Sequence, residues 1–272
     1  MRVMTWNVWW RFGDDWQTRE RLIADTVAEH RPDLLGLVES WAADGTDQPH
    51  RLAEPHGMHA VWVASGLPPE PEPPENPDQR GVAIGIGLVS RWPIRATEVH
   101  DLPNPQRGGA PPRALLATVE HPAGPLHVIV GCTEWEPDYA EDHLAQCRAL
   151  AALATDERLD GALPVLLVGD LNAAPGQVEL LPLLDAMVDT WAVGGGDPEA
   201  VTLDSAVPDA PVEAVKQIDR RIDHVLARPG RPGVPLRVSR VFLAGDRPIG
   251  GVFPSDHYAV GADLEFSPGT LP

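Results

Sequence analysis

The chain of 272 residues contains a single lysine, Lys216, and its 40 acidic residues far outnumber its 21 basic ones. The resulting formal net charge of −19 repels polyphosphate backbones, so we do not expect binding to bulk DNA or RNA. A phosphorylated ligand is still compatible with this charge if a divalent cation and a few local arginines offset it where the ligand binds. The composition therefore favours a small ligand over a polymer.

Cysteine is almost as scarce as lysine. The two cysteines, Cys132 and Cys147, lack the spacing of a metal site, and they favour a reducing compartment. The first six residues are typical of a strand, and no apolar run approaches about 18 residues. We expect a soluble cytoplasmic protein with no membrane segment, and no feature indicates an obligate protein partner.

Short runs of valine, isoleucine and leucine between turn residues predict a fold dominated by strands. Helices are predicted at 16–30 and 139–154, with a shorter one after Pro175. The pattern indicates an α/β fold of mixed sheets with helices on the outer faces. We expect one domain, 1–272, because candidate residues from both ends must meet. The predicted strands are 2–6, 34–38, 60–63, 81–89, 112–119, 126–131, 164–168, 222–226, 236–243 and 257–264.

The segment 65–79 is rich in proline and glutamate, which argues against helix, strand and burial. It is expected to form an extended, exposed loop. The simpler interpretation is a tolerated surface insertion, and the alternative is a lid over a site.

The segment Gly169-Asp170-Leu171-Asn172 places an acid and an amide two residues apart after an apolar strand. Side chains at this spacing on an extended backbone point the same way, so they can address one ligand together. Asp170 could accept a proton from water or orient it, and Asn172 could donate to a phosphoryl oxygen. Alone, such a turn is as often only structural.

Four further polar residues stand at the ends of apolar strands. Asn7 and Glu39 end two early strands, and Asp256-His257 opens the last one. Asp223 lies within a mostly apolar strand, where a carboxylate is costly to bury unless paired. His257 could be that partner, with its ring oriented by Asp223.

Taken in order, these segments resemble the endonuclease/exonuclease/phosphatase family, which includes DNase I, repair nucleases, neutral sphingomyelinases and inositol polyphosphate phosphatases. The resemblance spans almost the whole chain and implies a four-layer sandwich of two face-to-face mixed sheets with helices outside. The matching segments are Thr5-Trp6-Asn7, Leu37-Val38-Glu39, Leu88–Ile94, Gly169–Ala173, Arg221-Ile222-Asp223-His224 and Ser255-Asp256-His257.

The resemblance also implies a magnesium site, which manganese could also fill. Glu39 would be the principal ligand, with Asn7 and Asp256 close to the metal. Asp170 would position or deprotonate the attacking water, and Asn172 would contact the phosphate. His257, held by Asp223, would stabilise the transition state or transfer a proton. Magnesium prefers oxygen ligands and is often held by only one or two carboxylates, which suits this set.

The chain departs from the family pattern at Cys132, where many members carry a histidine. A thiol cannot supply positive charge to a phosphate. Glu134 could fill the space or His143 could reach in from the helix, although a surface position is the favoured interpretation for His143. Trp9 could form an aromatic wall for a substrate group, and Arg113 could bind a substrate anion if it faces the site.

The leading hypothesis is metal-assisted attack of water on a small phosphomonoester or phosphodiester. A nuclease is permitted by the motifs and opposed by the charge balance. A third possibility is a binding protein that keeps the fold but has lost activity with the histidine at position 132.

Overall fold

The computed structural model describes residues 1–13, 15–231 and 234–266. The helices of this part are α1 (Trp16–His30), α2 (Gln48–Ala53), α3 (Ala140–Ala154), α4 (Leu181–Ala186) and α5 (Thr190–Val193). The strands are β1 (Arg2–Asn7), β2 (Leu34–Ala43), β3 (Thr46–Asp47), β4 (His59–Ala64), β5 (Ala83–Ser90), β6 (Ile94–Asp101), β7 (Arg113–His121), β8 (Gly124–Cys132), β9 (Val165–Asp170), β10 (Val188–Asp189), β11 (Asp223–Arg228), β12 (Leu236–Ala244) and β13 (Ala259–Phe266).

The strands form two sheets. The first has the order β12-β13-β1-β2-β5-β4, with β3 paired to β2, and the second has the order β10-β11-β9-β8-β7-β6. In each sheet one central pair is parallel, β1 with β2 and β8 with β9, while the neighbouring pairs are antiparallel. Both sheets are therefore mixed, as predicted.

Three apolar layers hold these elements together. Val3, Leu34 and Val38 of the first sheet pack against residues such as Val130 and Val168 of the second. Alternate residues of the same strands point to the outer faces, since side chains alternate along a strand. There Met4, Trp6 and Leu35 meet Ile23 and Val27 of α1, and Ile129 and Leu167 meet Cys147 and Leu150 of α3. The predicted four-layer α/β sandwich is confirmed.

The ten predicted strands and the two long helices are present with shifts of a few residues at their ends. The strand β6 was not predicted because Ile94–Asp101 is an edge strand whose residues are mostly exposed, and it lacks apolar alternation. The helix expected after Pro175 begins only at Leu181. Among the described helices, none combines the length and the apolar character needed to cross a membrane.

The loop at 65–79 is not exposed throughout, so the expectation is wrong at three positions, the first of which is Ser65. Leu67 is 1% exposed and Gln79 is 3% exposed. The Gln79 amide donates to the carbonyl oxygen of Arg11 at 3.0 Å, and Gln79 Oε1 accepts from the backbone N–H of Glu75 at 2.8 Å. These contacts fasten the loop to the segment that follows β1.

Gly169 allows β9 to approach β8 closely just before the site. It lies opposite Gly131 in the parallel pair and has φ +154°. A Cβ atom added at Gly169 would lie 1.8 Å from the carbonyl oxygen of Gly131, which is backbone and cannot rotate away. The end of β9 therefore depends on glycine at this position.

We expect Gly169→Ala to lower the free energy of unfolding by about 2 to 4 kcal/mol, because the clash with Gly131 must be relieved by a shift of the strand. Urea denaturation measures this change. Gly161→Ala is the control, since its Cβ would meet open space. Equal stability of the two variants would show that β9 and β8 separate easily.

Candidate active site

The polar residues that end the strands gather at one rim of the sandwich. Asn7 is the last residue of β1, and it lies beside Val38 of the parallel strand β2. Asp170 ends β9 in the other sheet, directly opposite Asp223 at the start of the antiparallel strand β11. Residues distant in sequence are thereby brought together by strand order and register.

Glu39 is turned into this rim by a local irregularity of β2. The pairing of β2 with β5 shifts register between Leu37 and Ser40, and Glu39 adopts the left-handed conformation with φ 53°. Such bulges redirect a side chain out of the regular alternation. Glu39 is only partly buried, unlike its apolar neighbours, and it faces a cavity.

The Asn7 amide joins the two sheets at this point. Its Nδ2 group donates to Glu39 Oε1 at 2.8 Å and to Asp170 Oδ2 at 3.1 Å. Its Oδ1 accepts from the backbone N–H of Trp9 at 3.0 Å, and its backbone carbonyl accepts from Ser255 Oγ at 2.7 Å. Asn7 thus fixes the separation of two carboxylates that would otherwise repel each other.

The turn after β9 is held in one conformation by its own polar groups. Asn172 has φ 48°, and its backbone N–H donates to Asp170 Oδ1 at 3.0 Å. The Asn172 amide donates to the carbonyl oxygen of Thr133 at 2.9 Å. An asparagine amide carries two N–H groups, so one is left for a ligand.

His257 is held against Asp223 as the sequence suggested. Its Nδ1 atom lies 2.9 Å from Asp223 Oδ2, and its Nε2 atom lies 3.8 Å from Asp170 Oδ2. Because an ionised carboxylate only accepts, Nδ1 carries the proton of this bond. The other Asp223 oxygen, Oδ1, is buried without a hydrogen-bond partner among the described residues. The ring is therefore oriented with Nε2 towards Asp170.

The carboxylates of this rim carry more negative charge than their surroundings neutralise. Burial, followed by the nearby Asp256, raises the pKa of Glu39 to about 8. Burial and Asp223 raise the pKa of Asp170 to about 7, and burial raises that of Asp256. Burial alone would lower the pKa of His257, but Asp223, Asp256 and Asp170 outweigh it and raise that pKa well above 6.5. The raised pKa of each carboxyl means that its charged form is disfavoured in this site, and a bound cation would stabilise that form.

A divalent cation fits this set of oxygen atoms. Ligand atoms of Asp170, Asp223 and His257 lie within 4.8 Å of one another. In that group, however, His257 and Asp223 are already bonded to each other. Glu39 and Asp256 line the cavity beside Asp170, whereas Asp223 does not line it, so the oxygen atoms of Glu39 and Asp256 offer the better position for a cation.

One cavity of about 380 Å³ joins these groups. From the predicted set it is lined by Glu39, Asp170, Asn172, Asp256, His257, Trp9 and Cys132. Burial and the surrounding carboxylates raise the pKa of the Cys132 thiol well above 9, so the thiol stays neutral at the cavity wall.

Two residues predicted to contact substrate do not line the cavity. Glu134 is fully buried, and its carboxylate binds the Arg107 guanidinium, with Oε1 2.7 Å from Arg107 Nη2. Arg113 donates to Asp101 Oδ1 at 3.0 Å on the edge of the second sheet. Both side chains are engaged elsewhere, and their prediction as substrate contacts is corrected on this geometry.

The favoured surface position for His143 is also wrong. This side chain is 5% exposed, and its Nε2 atom lies 2.9 Å from the carbonyl oxygen of Leu171. Burial lowers its pKa, so the ring supports the turn after Asp170 as a neutral donor. It does not supply the positive charge that Cys132 lacks.

Two supporting residues had no signal in the sequence. Arg19 of α1 donates to the carbonyl oxygens of Val8, Trp9, Trp10 and Phe12, and its guanidinium carbon lies 4.3 Å from the centroid of the Trp9 ring. Gln217 donates to the carbonyl oxygens of Trp135 and Asn172 at 3.0 and 3.3 Å. An arginine on a helix and a glutamine in a loop normally indicate exposed positions, so only the fold identifies them.

The chain belongs to the endonuclease/exonuclease/phosphatase family, whose model matches residues 4–257. The family consists of phosphoester hydrolases, among them phosphatases and nucleases. No curated protein matches the sequence significantly.

Solved structures share this fold over nearly the whole chain. An endonuclease/exonuclease/phosphatase from Beutenbergia cavernae DSM 12333 is 25% identical, with a TM-score of 0.71, over 98% of this chain and 71% of that one. The human Nocturnin catalytic domain with bound sulfate is 19% identical, with a TM-score of 0.74, over 98% and 93%. D. rerio TDP2 complexed with a single-strand DNA product is 16% identical, with a TM-score of 0.73, over 97% and 98%. The last two likenesses concern the fold.

Behind the site, His224 is buried between Arg221 and the turn after β9. Its Nε2 atom lies 2.8 Å from the carbonyl oxygen of Ala173 and its Nδ1 atom 2.8 Å from Arg221 Nη1. Since Arg221 can only donate, the ring is neutral with its proton on Nε2. Burial, followed by Arg221, lowers the pKa of His224 to about 4.

We expect His224 to make unfolding easier in acid. The unfolded chain binds a proton at this histidine near pH 6.5 and the folded chain only near 4. Between pH 7 and pH 5 this difference lowers the free energy of unfolding by on the order of 2 kcal/mol. Urea denaturation measures the drop in the free energy of unfolding between pH 7 and pH 5. This drop should be smaller in His224→Gln than in the wild type by that amount, because the contributions of other groups cancel in the comparison. The exposed His59→Gln variant should retain the wild-type drop, and an unchanged drop in His224→Gln would contradict a neutral ring.

Proposed function

We propose that the protein is a Mg2+-dependent hydrolase of a small phosphomonoester or phosphodiester, with Mn2+ as a possible substitute. The observation that carries this proposal is the meeting of Glu39, Asp170, Asn172, Asp256 and His257 in one cavity. Few other functions explain acids, an amide and a histidine gathered from three distant segments at the edge of two sheets. Membership of the family supports the reaction class.

Glu39 and Asp256 would hold the cation, with Asn7 keeping Glu39 in place. When bound, Mg2+ screens the charge of the phosphate and stabilises the leaving oxygen. Burial and the nearby Asp256 raise the pKa of Glu39 to about 8, and a bound cation would stabilise the charged form of this carboxyl, which supports the role. Their position on the cavity favours Glu39 and Asp256 over Asp223, which does not line the cavity and is bonded to His257.

The residues around the phosphate have separate tasks. Asp170, with Oδ2 held by Asn7, would orient the attacking water or accept its proton. His257, protonated and fixed by Asp223, would donate from Nε2 to a phosphoryl or leaving oxygen. The remaining N–H group of Asn172 would bind another phosphoryl oxygen. Together these groups act on one phosphorus atom and require no further cofactor in the proposal.

A small substrate in the cytoplasm completes the proposal. The net charge of −19 disfavours bulk nucleic acid. The alternative of a nuclease draws on TDP2, which was solved with a DNA product, but no lysine or arginine of the described residues lines the cavity. The alternative of an inactive binding protein draws on Cys132, but the acids and His257 are all retained. Two free, buried cysteines favour a reducing compartment.

Magnesium binding tests the assignment of the ligands. We expect Glu39→Gln to weaken Mg2+ binding at least about tenfold, because one of two charged ligands is lost. Asp223→Asn should stay within about threefold of wild type. Isothermal titration calorimetry measures both, with Glu29→Gln, an exposed acid on α1, as control. The reverse order for Glu39 and Asp223 would place the cation in the Asp170, Asp223 and His257 cluster.

Turnover tests the reaction. We expect the wild type to release 4-nitrophenol from 4-nitrophenyl phosphate or its bis-aryl diester only with Mg2+ or Mn2+. Asp170→Asn and His257→Gln should each lower kcat by about 100-fold or more, since each removes a proton-transfer or charge-stabilising group. The exposed Asp185→Asn variant of α4 is the control. A folded wild type with no turnover and no metal binding would favour the binding-protein alternative.

A further inference from the structure

The cavity has two parts. Its floor is formed by the catalytic carboxylates and the residues beside them, and its wall above them is formed by other residues of different chemical character. We name this wall the vestibule. It is built by four chain segments that lie outside the sheets and by Leu203, which bridges to His257. The vestibule consists of Trp9, Phe12, Leu67, Pro68, Glu75, Trp135, Leu203, Pro211, Glu213 and Ala214.

The vestibule offers no cation to a substrate. Neither arginine nor lysine of the described residues lines it. Nearby basic groups are engaged with other partners: Arg107 with Glu134 and Glu136, Arg113 with Asp101, and Arg19 with backbone carbonyls and one face of the Trp9 ring. Lys216 Nζ lies 3.5 Å from Glu179. A second phosphate or a carboxylate on the substrate would therefore enter without a partner, which is costly.

Two acids stand in the vestibule instead. Glu75 comes from the loop at 65–79 and Glu213 from the segment after Pro211. Both are exposed, and neither forms an ion pair with another described residue. The Glu75 carboxylate accepts a hydrogen bond from Gln79 Nε2 at 3.2 Å, but that amide is neutral and leaves the charge in place. The vestibule thus attracts positive charge.

Aromatic rings provide the apolar part of the wall. Trp9, Phe12 and Trp135 line it together with Leu67 and Pro68. The rings of Trp9 and Phe12 are tilted by 33° with centroids 6.5 Å apart, so they form a corner and not a stack. The backbone N–H of Trp9 donates to Asn7 Oδ1, and the backbone carbonyl of Trp135 accepts from Gln217 Nε2, so the backbone at both residues is held in place. One face of the Trp9 ring carries the Arg19 guanidinium, whose carbon lies 4.3 Å from the ring centroid. The remaining ring faces, which stand beside carboxylates, suit an alkylated ammonium group, because it binds to both.

From this combination we infer that the vestibule selects phosphoesters whose alcohol carries an ammonium group on a short apolar arm. The inference rests on the proposed function for the position of the phosphate, and it adds the chemistry of the group beside it. With the phosphate at the floor, a short arm reaches the rings and the two glutamates. Glu75 and Glu213 are then specificity-determining residues that attract cationic arms and repel anionic ones.

Three 4-nitrophenyl phosphodiesters test the inference, because they differ only in the second alcohol. The alcohols are choline, its uncharged isostere 3,3-dimethylbutanol, and 4-hydroxybutyrate, whose arm is anionic. Release of 4-nitrophenol gives kcat and KM for the wild type, for the double variant Glu75→Gln/Glu213→Gln and for the control Glu29→Gln.

We expect the wild type to prefer the choline ester to its isostere by about tenfold in kcat/KM, mainly through KM, and to disfavour the anionic ester. The preference should fall below about threefold in the double variant and persist in the control. Equal kcat/KM for the choline ester and its isostere in the wild type, or an unchanged preference in the double variant, would overturn the inference.

Binding separates this inference from the proposed function. Calorimetric titration with phosphocholine and with 3,3-dimethylbutyl phosphate, each with Mg2+, measures the same preference without turnover. If no ester is hydrolysed, the proposed function fails, yet a tenfold preference for phosphocholine that the double variant loses would still support the vestibule. If hydrolysis occurs but the two ligands bind equally, the vestibule assignment fails and the proposed function stands.

Discussion

The concentration of carboxylates between the edges of two sheets is the constraint on which the rest of the site depends. Asp170, Asp223 and Asp256 are buried, and Glu39 opens only to the cavity. Like charges at such positions destabilise the folded chain unless donors or cations surround them. The donors around these carboxylates are neutral groups and an imidazole: the Asn7 amide, the Asn172 backbone and His257. Positive charge remains in short supply, which is the condition under which a divalent cation binds.

The arrangement also explains why the backbone is irregular at the site. Glu39 and Asn172 both adopt left-handed conformations, which cost energy for residues other than glycine. In return, each side chain leaves the alternation of its strand or turn and faces the common cavity. Their surroundings hold them there, through the Asn7 amide for Glu39 and the Thr133 carbonyl for Asn172. Regular strands form the rigid frame, and a few residues with irregular backbone conformations direct polar side chains into the cavity.

Much of this frame was predictable from sequence because its signals are local. Continuous apolar runs marked the central strands, and polar residues such as Asn7 and Asp170 stood where those runs ended. The pairing of Asp223 with His257 followed from the cost of an unpaired buried acid. In contrast, the burial of His143 and the carbonyl contacts of Arg19 depend on how a helix docks, which no local pattern encodes. Likewise Glu134 has the sequence position of a site residue, but it binds Arg107, which is 27 residues away and is not indicated by any local pattern.

The division between floor and wall has a consequence for how such a protein can change. The floor stands on strands whose residues also build the core, so substitutions there disturb folding as well as chemistry. The wall comes mainly from segments around 12, 65–79, 135 and 211–217, which are held by side-chain contacts and not by sheet hydrogen bonds. Inserting, shortening or exchanging these segments would reshape the wall of the cavity while the polar residues carried by the strands stay in place. The fold thus allows the wall of the cavity to vary independently of the strands, and these segments are the place where an engineered change of binding preference would disturb folding least.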